Sequence, residues 1–185
     1  MRTYSGIEQM AAQDYSIGLT AHYRPLADLI NEGGYKTVIE IGTAYGGNAF
    51  HLLTNTKIES LICVDPYRYY PAMPGFTCQE EYGTLFEFAQ NRLSHFNNVE
   101  ILRLTSQEAI KILDTADLVF LDGSHDYLDV KWECENYINI IRTGGILSGH
   151  DYNIFEGVNK AVDEFAKQSG YEIKQLPGNI WYVEK

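Results

Sequence analysis

The stretch "VIEIGTAYGGNAF", residues 38–50, decides how the chain folds. A short, β-branched, almost wholly apolar run ends at Gly42, and Gly46-Gly47 then open a helical pattern that continues to about Leu53. Apolar residues without alternation mark a parallel strand buried on both faces. Gly42 lets the backbone turn sharply, and a helix opening at Gly46 and Gly47 aims its free amides at whatever lies above the turn. Strand, glycine turn and helix together form the unit from which a doubly wound sheet is built.

The same rhythm extends outward on both sides. Residues 20–32 carry Leu26, Leu29 and Ile30 on one helical face, and the glycines of "EGGY" stop that lead-in helix. Downstream, strands are predicted at "SLICVD" (60–65), "VEILRL" (99–104), "DLVFLD" (117–122) and "GGILSG" (144–149). Helices are predicted between them at about 47–53, 80–93, from Gln107, and at 128–141, with a further one at 157–168. The terminal runs "YEIKQL" and "NIWYVEK" are separated only by Pro177-Gly178, the signature of a tight hairpin that adds one antiparallel strand. The expected fold is α/β, a doubly wound, mostly parallel seven-stranded sheet with a C-terminal antiparallel hairpin. One domain spans 1–185, with residues 1–36 as its helical lead-in. Residues 66–83 break the rhythm with three of the chain's five prolines and five aromatic rings, and read as a lid or pocket wall at the strand ends.

A net charge of -11 offers no basic stripe for nucleic acid or an anionic membrane. Cys63, Cys78 and Cys134 lack metal spacing and are odd in number, which suits a reducing, cytoplasmic setting. No apolar run is long enough to cross a bilayer. Oligomeric state leaves no mark in the spacing, so a homo-oligomer stays open.

Asp65 ends the second strand twenty-three residues after Gly42, the place from which a carboxylate accepts hydrogen bonds from ribose hydroxyls. A dinucleotide fold would place a second glycine at Ala44, which weakens a nicotinamide-dependent oxidoreductase as the alternative reading. Glu40, two residues before Gly42, suits a cationic ligand such as an α-ammonium or sulfonium group. The turn (Glu40, Gly42, Thr43, Gly46) with Asp65 resembles motif one and the ribose-binding acid of the class I S-adenosylmethionine-dependent methyltransferases. In such enzymes the third strand's end contacts adenine, which implicates Thr105, Ser106 and Gln107, although Ser106 reads equally as a helix N-cap.

Two further apolar runs end in "LDGSHDY" (121–127) and "SGHDY" (148–152), bringing Asp122, His150 and Asp151 to the same edge. Carboxylates from two neighbouring strands suit a hard divalent cation, and His125 or His150 is a candidate general base. Asp126 reads as a cap for the helix that follows. These stretches with "GVNKAVDEF" resemble the family of macrocin and other antibiotic-sugar O-methyltransferases and the cephalosporin-biosynthesis protein. That resemblance implies S-adenosylmethionine with Asp122 beside it, Mg2+ or another divalent cation on Asp122 and Asp151, and a small-molecule acceptor. The catechol-type relatives carry Asp-Asn where this chain has His150-Asp151, so His150 is left as ligand, base or spectator. A methyltransferase-like binding module without chemistry is the remaining alternative.

Overall fold

The 38–41 run becomes β1 (Thr37–Ile41), near the middle of a sheet with order β3-β2-β1-β4-β5-β7-β6. The computed structural model describes residues 23–70 and 78–185. The other strands are β2 (Ser60–Val64), β3 (Val99–Leu102), β4 (Ala116–Leu121), β5 (Ile141–Gly149), β6 (Lys174–Leu176) and β7 (Ile180–Glu184). The helices are α1 (Arg24–Gly33), α2 (Gly47–Asn55), α3 (Gln79–Leu93), α4 (Ser106–Ala109), α5 (Tyr127–Tyr137) and α6 (Glu156–Ser169). Strands β1 to β5 pair in parallel, and β7 alone runs against its neighbours β5 and β6.

Alternation along each strand sends side chains to two separate cores. Leu118 and Phe120 of β4 pack with Leu26 and Ile30 of α1 and Leu52 of α2. Val119 and Leu121 pack on the other face with Val130 of α5 and Val162 and Phe165 of α6. Helices on both faces explain why the central strands lack polar alternation. The lead-in helix stops as its glycines predict: Gly34 takes a φ of 66° and its amide reaches the carbonyls of Asn31 and Ile30.

Four local expectations need correction. The helix from Gln107 is the single turn α4, and its cap is Thr105, whose side chain accepts from the Glu108 amide while Glu108 bonds back to the Thr105 amide. Ser106 is therefore inside the helix rather than its cap. Asp126 stands at the N-cap of α5 but makes no side-chain capping bond there; its Oδ2 accepts from the Tyr70 hydroxyl at 2.6 Å instead. The hairpin loop has three residues, Pro177 to Asn179, with φ of 85° at Gly178 and 61° at Asn179. The segment 66–83 is also shorter as a loop than expected, since α3 begins at Gln79. A lid over 71–77 and a lead-in before Tyr23 fall outside the described residues. Among the described residues no helix is long and apolar enough to cross a membrane.

Candidate active site

Each parallel ladder continues one residue past its strand, which brings four chain turns to one edge. The Gly42 amide donates to Val64 O, Asp65 to Leu102 O, Asp122 to Ile41 O and His150 to Leu121 O, all at 2.7–3.1 Å. The residues singled out at the ends of β1, β2, β4 and β5 are thus held in register by backbone bonds. Gly42 and β4 meet most closely, since a Cβ on Gly42 (φ 91°) would lie 2.1 Å from the Asp122 carbonyl oxygen.

Around the glycine turn, Asp65 acts as a staple. Its Oδ2 accepts from the Ala44 amide at 2.9 Å and its Oδ1 from the Tyr67 amide at 2.8 Å. Burial raises the Asp65 carboxyl above its ordinary value, with the Tyr67 and Ala44 amides opposing. Ala44, at the position where a dinucleotide fold prefers glycine, has a φ of 47°, and its carbonyl accepts from the fully buried Tyr67 hydroxyl at 2.8 Å. Tyr67 thereby fixes the first residues of the aromatic segment against the turn.

Gly46 (φ 75°) is the N-cap of α2 and supplies no side chain, which leaves the first amides of that helix uncapped by a side chain. Glu40 lies beneath the turn rather than on its rim. It is 1% exposed, and its Oε1 accepts from Asn48 Nδ2 at 2.8 Å. Burial pushes its carboxyl up to about 7, although the Asn48 bond pulls the other way. No close hydrogen bond reaches Glu40 Oε2 or the neighbouring Thr43 hydroxyl among the described residues, although Thr43 and Cys63 both act on the Glu40 carboxyl and pull it down against burial. A buried carboxyl oxygen held this weakly is costly to the fold.

Beside this turn, Asp122, His150 and Asp151 place one ligand atom each within 4.8 Å of one another. His150 Nδ1 is 3.5 Å from Asp122 Oδ1 and 3.1 Å from Asp151 Oδ1. The second oxygen of each carboxylate is held from outside. Tyr23 donates to Asp122 Oδ2 at 3.0 Å, and His125 Nε2 meets Asp151 Oδ2 at 2.7 Å. The His125 ring stacks on Phe155 with centroids 4.0 Å apart.

These contacts separate the two acids. Burial pushes Asp122 up to about 7, with His150 opposing and Asp151 adding to the rise. Burial acts on Asp151 too, but hydrogen bonds from His125 and His150 outweigh it and hold that carboxyl well below its usual range. The Asp151 hydrogen bond raises His125. Burial lowers His150, yet the bonds and charges of Asp151 and Asp122 leave it raised overall. Asp151 also has a φ of 61°, a left-handed conformation that Asp tolerates better than most side chains.

A model of the methyltransferase domain matches residues 39–152, the stretch that contains every one of these strand ends. The chain belongs to the methyltransferase-domain family. An uncharacterized protein of Acanthamoeba polyphaga mimivirus is 32% identical over 175 residues, covering 84% of this chain and 74% of that protein. The fold is that of a solved putative caffeoyl-CoA O-methyltransferase from Staphylococcus aureus, with a TM-score of 0.70 at 17% identity over 99% of this chain and 94% of the other. An O-methyltransferase from Bacillus cereus, solved in complex with S-adenosylhomocysteine, superposes with a TM-score of 0.66 at 14% identity, covering 100% and 93%. The nicotinamide alternative falls with this membership, and the methyltransferase uses S-adenosylmethionine.

The methyltransferase has three features at this edge that sequence reading missed. Tyr23 reaches Asp122 across ninety-nine residues, a contact with no local signal. The T-x-x-E capping box at Thr105 has a local signal in the sequence, Thr105 followed three residues later by Glu108. Glu133 is the third. Together with Asp122, Ser124 and His150 it lines a small cavity, and it hydrogen-bonds the Ser106 side chain, while Tyr137 one turn on donates to the Ser106 carbonyl at 2.8 Å. Helix α5 thereby clamps the start of α4 from one face.

Burial pushes Glu133 up to about 7, above its unfolded value, with Ser106 opposing and Asp129 adding to the rise. A carboxyl raised in this way costs nothing at low pH and destabilises the fold as pH climbs from the unfolded value through about 7. Glu133→Gln removes that cost. Thermal melts should show the variant gaining on the wild type between pH 5 and pH 8, by on the order of 3 kcal/mol. A stability difference that stays flat across this range overturns the assignment.

Proposed function

We propose that the methyltransferase carries out divalent-metal-assisted O-methylation of a small-molecule hydroxyl, on a sugar or glycosylated metabolite. The observation that supports it best is the meeting of Asp122 Oδ1, His150 Nδ1 and Asp151 Oδ1 one residue beyond β4 and β5, against the glycine turn. In this reading Gly42, Thr43 and Gly46 receive the cofactor's amino-acid end. Glu40 Oε2 provides an acceptor below it, Asp65 faces the ribose, and Ser106 and Asp122 flank the adenosine. The donors fit a divalent cation, with Asp122, His150 and Asp151 holding it, because two anionic oxygens and an imidazole converge while other groups fix the outer oxygens. When bound, the cofactor supplies an electrophilic methyl group and the cation lowers the pKa of the acceptor hydroxyl.

The chain's own part is orientation and the proton. His125 is the general base: its Nε2–H donates to Asp151, which leaves Nδ1 with the lone pair that takes the hydroxyl proton. Methyl transfer to the hydroxyl would exchange a sulfonium–methyl bond for an oxygen–methyl bond, so the approach that these residues fix would provide much of the acceleration. His150 serves as ligand rather than base, since its Nδ1 already sits between the two carboxylates. The free state of Cys63, Cys78 and Cys134 accords with a cytoplasmic, reducing setting.

The test couples binding to turnover. S-adenosylhomocysteine at a hundredfold excess over its Kd should stabilise the protein by about 2.7 kcal/mol, read as a rise in melting temperature. Labelled methyl should then pass from S-adenosylmethionine to hydroxyl acceptors in a panel of glycosides and phenols, with loss on treatment with EDTA and recovery on adding metal. Binding without transfer to any acceptor, and biological function that survives in an Asp122→Ala/Asp151→Ala double variant, would establish a non-catalytic module instead.

A further inference from the structure

We infer that the triad at the β4 and β5 ends selects a first-row transition ion such as Mn2+, Co2+ or Zn2+ over magnesium, with His150 Nδ1 as the selecting ligand. This rests on the metal half of the proposed function and goes beyond it. Magnesium demands near-octahedral oxygen coordination and sheds its waters reluctantly, so it gains little from an imidazole. Imidazole favours the transition ions, and affinity for a given nitrogen and oxygen set rises along the first row.

Geometry makes His150 hard to bypass. Its backbone amide is locked to Leu121 O at 2.9 Å, extending β5, and its ring lies 5.5 Å from that of Tyr23 with the imidazole side chain only 15% exposed. Both carboxylates turn their Oδ1 atoms toward its Nδ1, while Tyr23 and His125 hold their Oδ2 atoms. An ion bound to the two inner oxygens therefore meets nitrogen as its third protein donor. An all-oxygen ion would need His150 to move away, and the packing against Tyr23 resists that.

Ion binding alone provides the readout, without turnover. EDTA-stripped wild-type protein is titrated calorimetrically with MnCl2 and with MgCl2, and the Mn2+ complex is examined by pulsed electron paramagnetic resonance for modulation from a directly bound imidazole nitrogen. Mn2+ should bind at least tenfold more tightly than Mg2+ and show the nitrogen coupling. In His150→Asp, which supplies oxygen at the same place, the preference should fall at least tenfold and the coupling should vanish. S-adenosylhomocysteine binding to the variant verifies that it is folded. Binding of both ions with equal affinity and no nitrogen coupling overturns this inference while leaving the metal-assisted reading standing. Binding of neither ion overturns both.

Discussion

If the proposed metal-assisted reaction holds, Asp151→Asn should lower methyl transfer on the order of a thousandfold, because Lewis-acid assistance is worth several kcal/mol and each 1.36 kcal/mol is a factor of ten in rate. Asparagine is the informative replacement. Position 151 has a φ of 61°, which asparagine tolerates and alanine does not, so the change removes charge without straining the backbone. The amide oxygen still accepts from His125, which preserves that ring's stacking on Phe155. The loss should therefore fall on turnover, with S-adenosylhomocysteine affinity changed only slightly, because the glycine turn and Asp65 lie at the other strand ends. Initial rates with saturating cofactor and metal, paired with calorimetric titration, separate the two. A variant within tenfold of wild-type turnover would remove Asp151 from the catalytic centre.

Gly42→Ala should be among the most damaging single methyl additions at the described glycines. It costs about 3–5 kcal/mol and lowers the melting temperature by roughly 10 °C. The added carbon meets the Asp122 carbonyl oxygen at 2.1 Å and Gly123 Cα at 2.6 Å, both backbone atoms that cannot rotate away. The φ of 91° adds strain of its own. Gly34→Ala is the control, because its φ is also positive, at 66°, yet nothing lies within 4 Å of the added carbon. That substitution should cost only about 1–2 kcal/mol. Because the proposed function puts Gly42 at the cofactor and Asp122 at the metal, the Gly42 variant should also weaken S-adenosylhomocysteine and metal binding together. Equal melting temperatures for the two variants would show that the close approach of β1 and β4 is not what requires glycine at 42.

The division between legible and hidden features follows the range of the forces involved. Strands β1, β2, β4 and β5 were readable because burial on both faces imposes an apolar run on a few consecutive residues. The glycine turn was readable because left-handed backbone at 42 and 46 restricts residue type at single positions. Asp65, Asp122, His150 and Asp151 followed from topology, since parallel strands must expose their carboxyl ends at one edge. The burial of Glu40 was not readable, because one acid within an apolar strand looks the same whether it faces a ligand or the Asn48 amide.

The sequence by itself determined a doubly wound sheet, its glycine turn and the four polar strand ends, all set by local pattern. Only the tertiary structure decided how the groups within the site are shared out. It brought Tyr23 to Asp122, set His125 against Phe155 and Asp151, turned His150 between the carboxylates and clamped Ser106 with Glu133 and Tyr137. Those pairings join segments far apart in the chain. Their energies depend on distance and burial in three dimensions, for which residue spacing has no code.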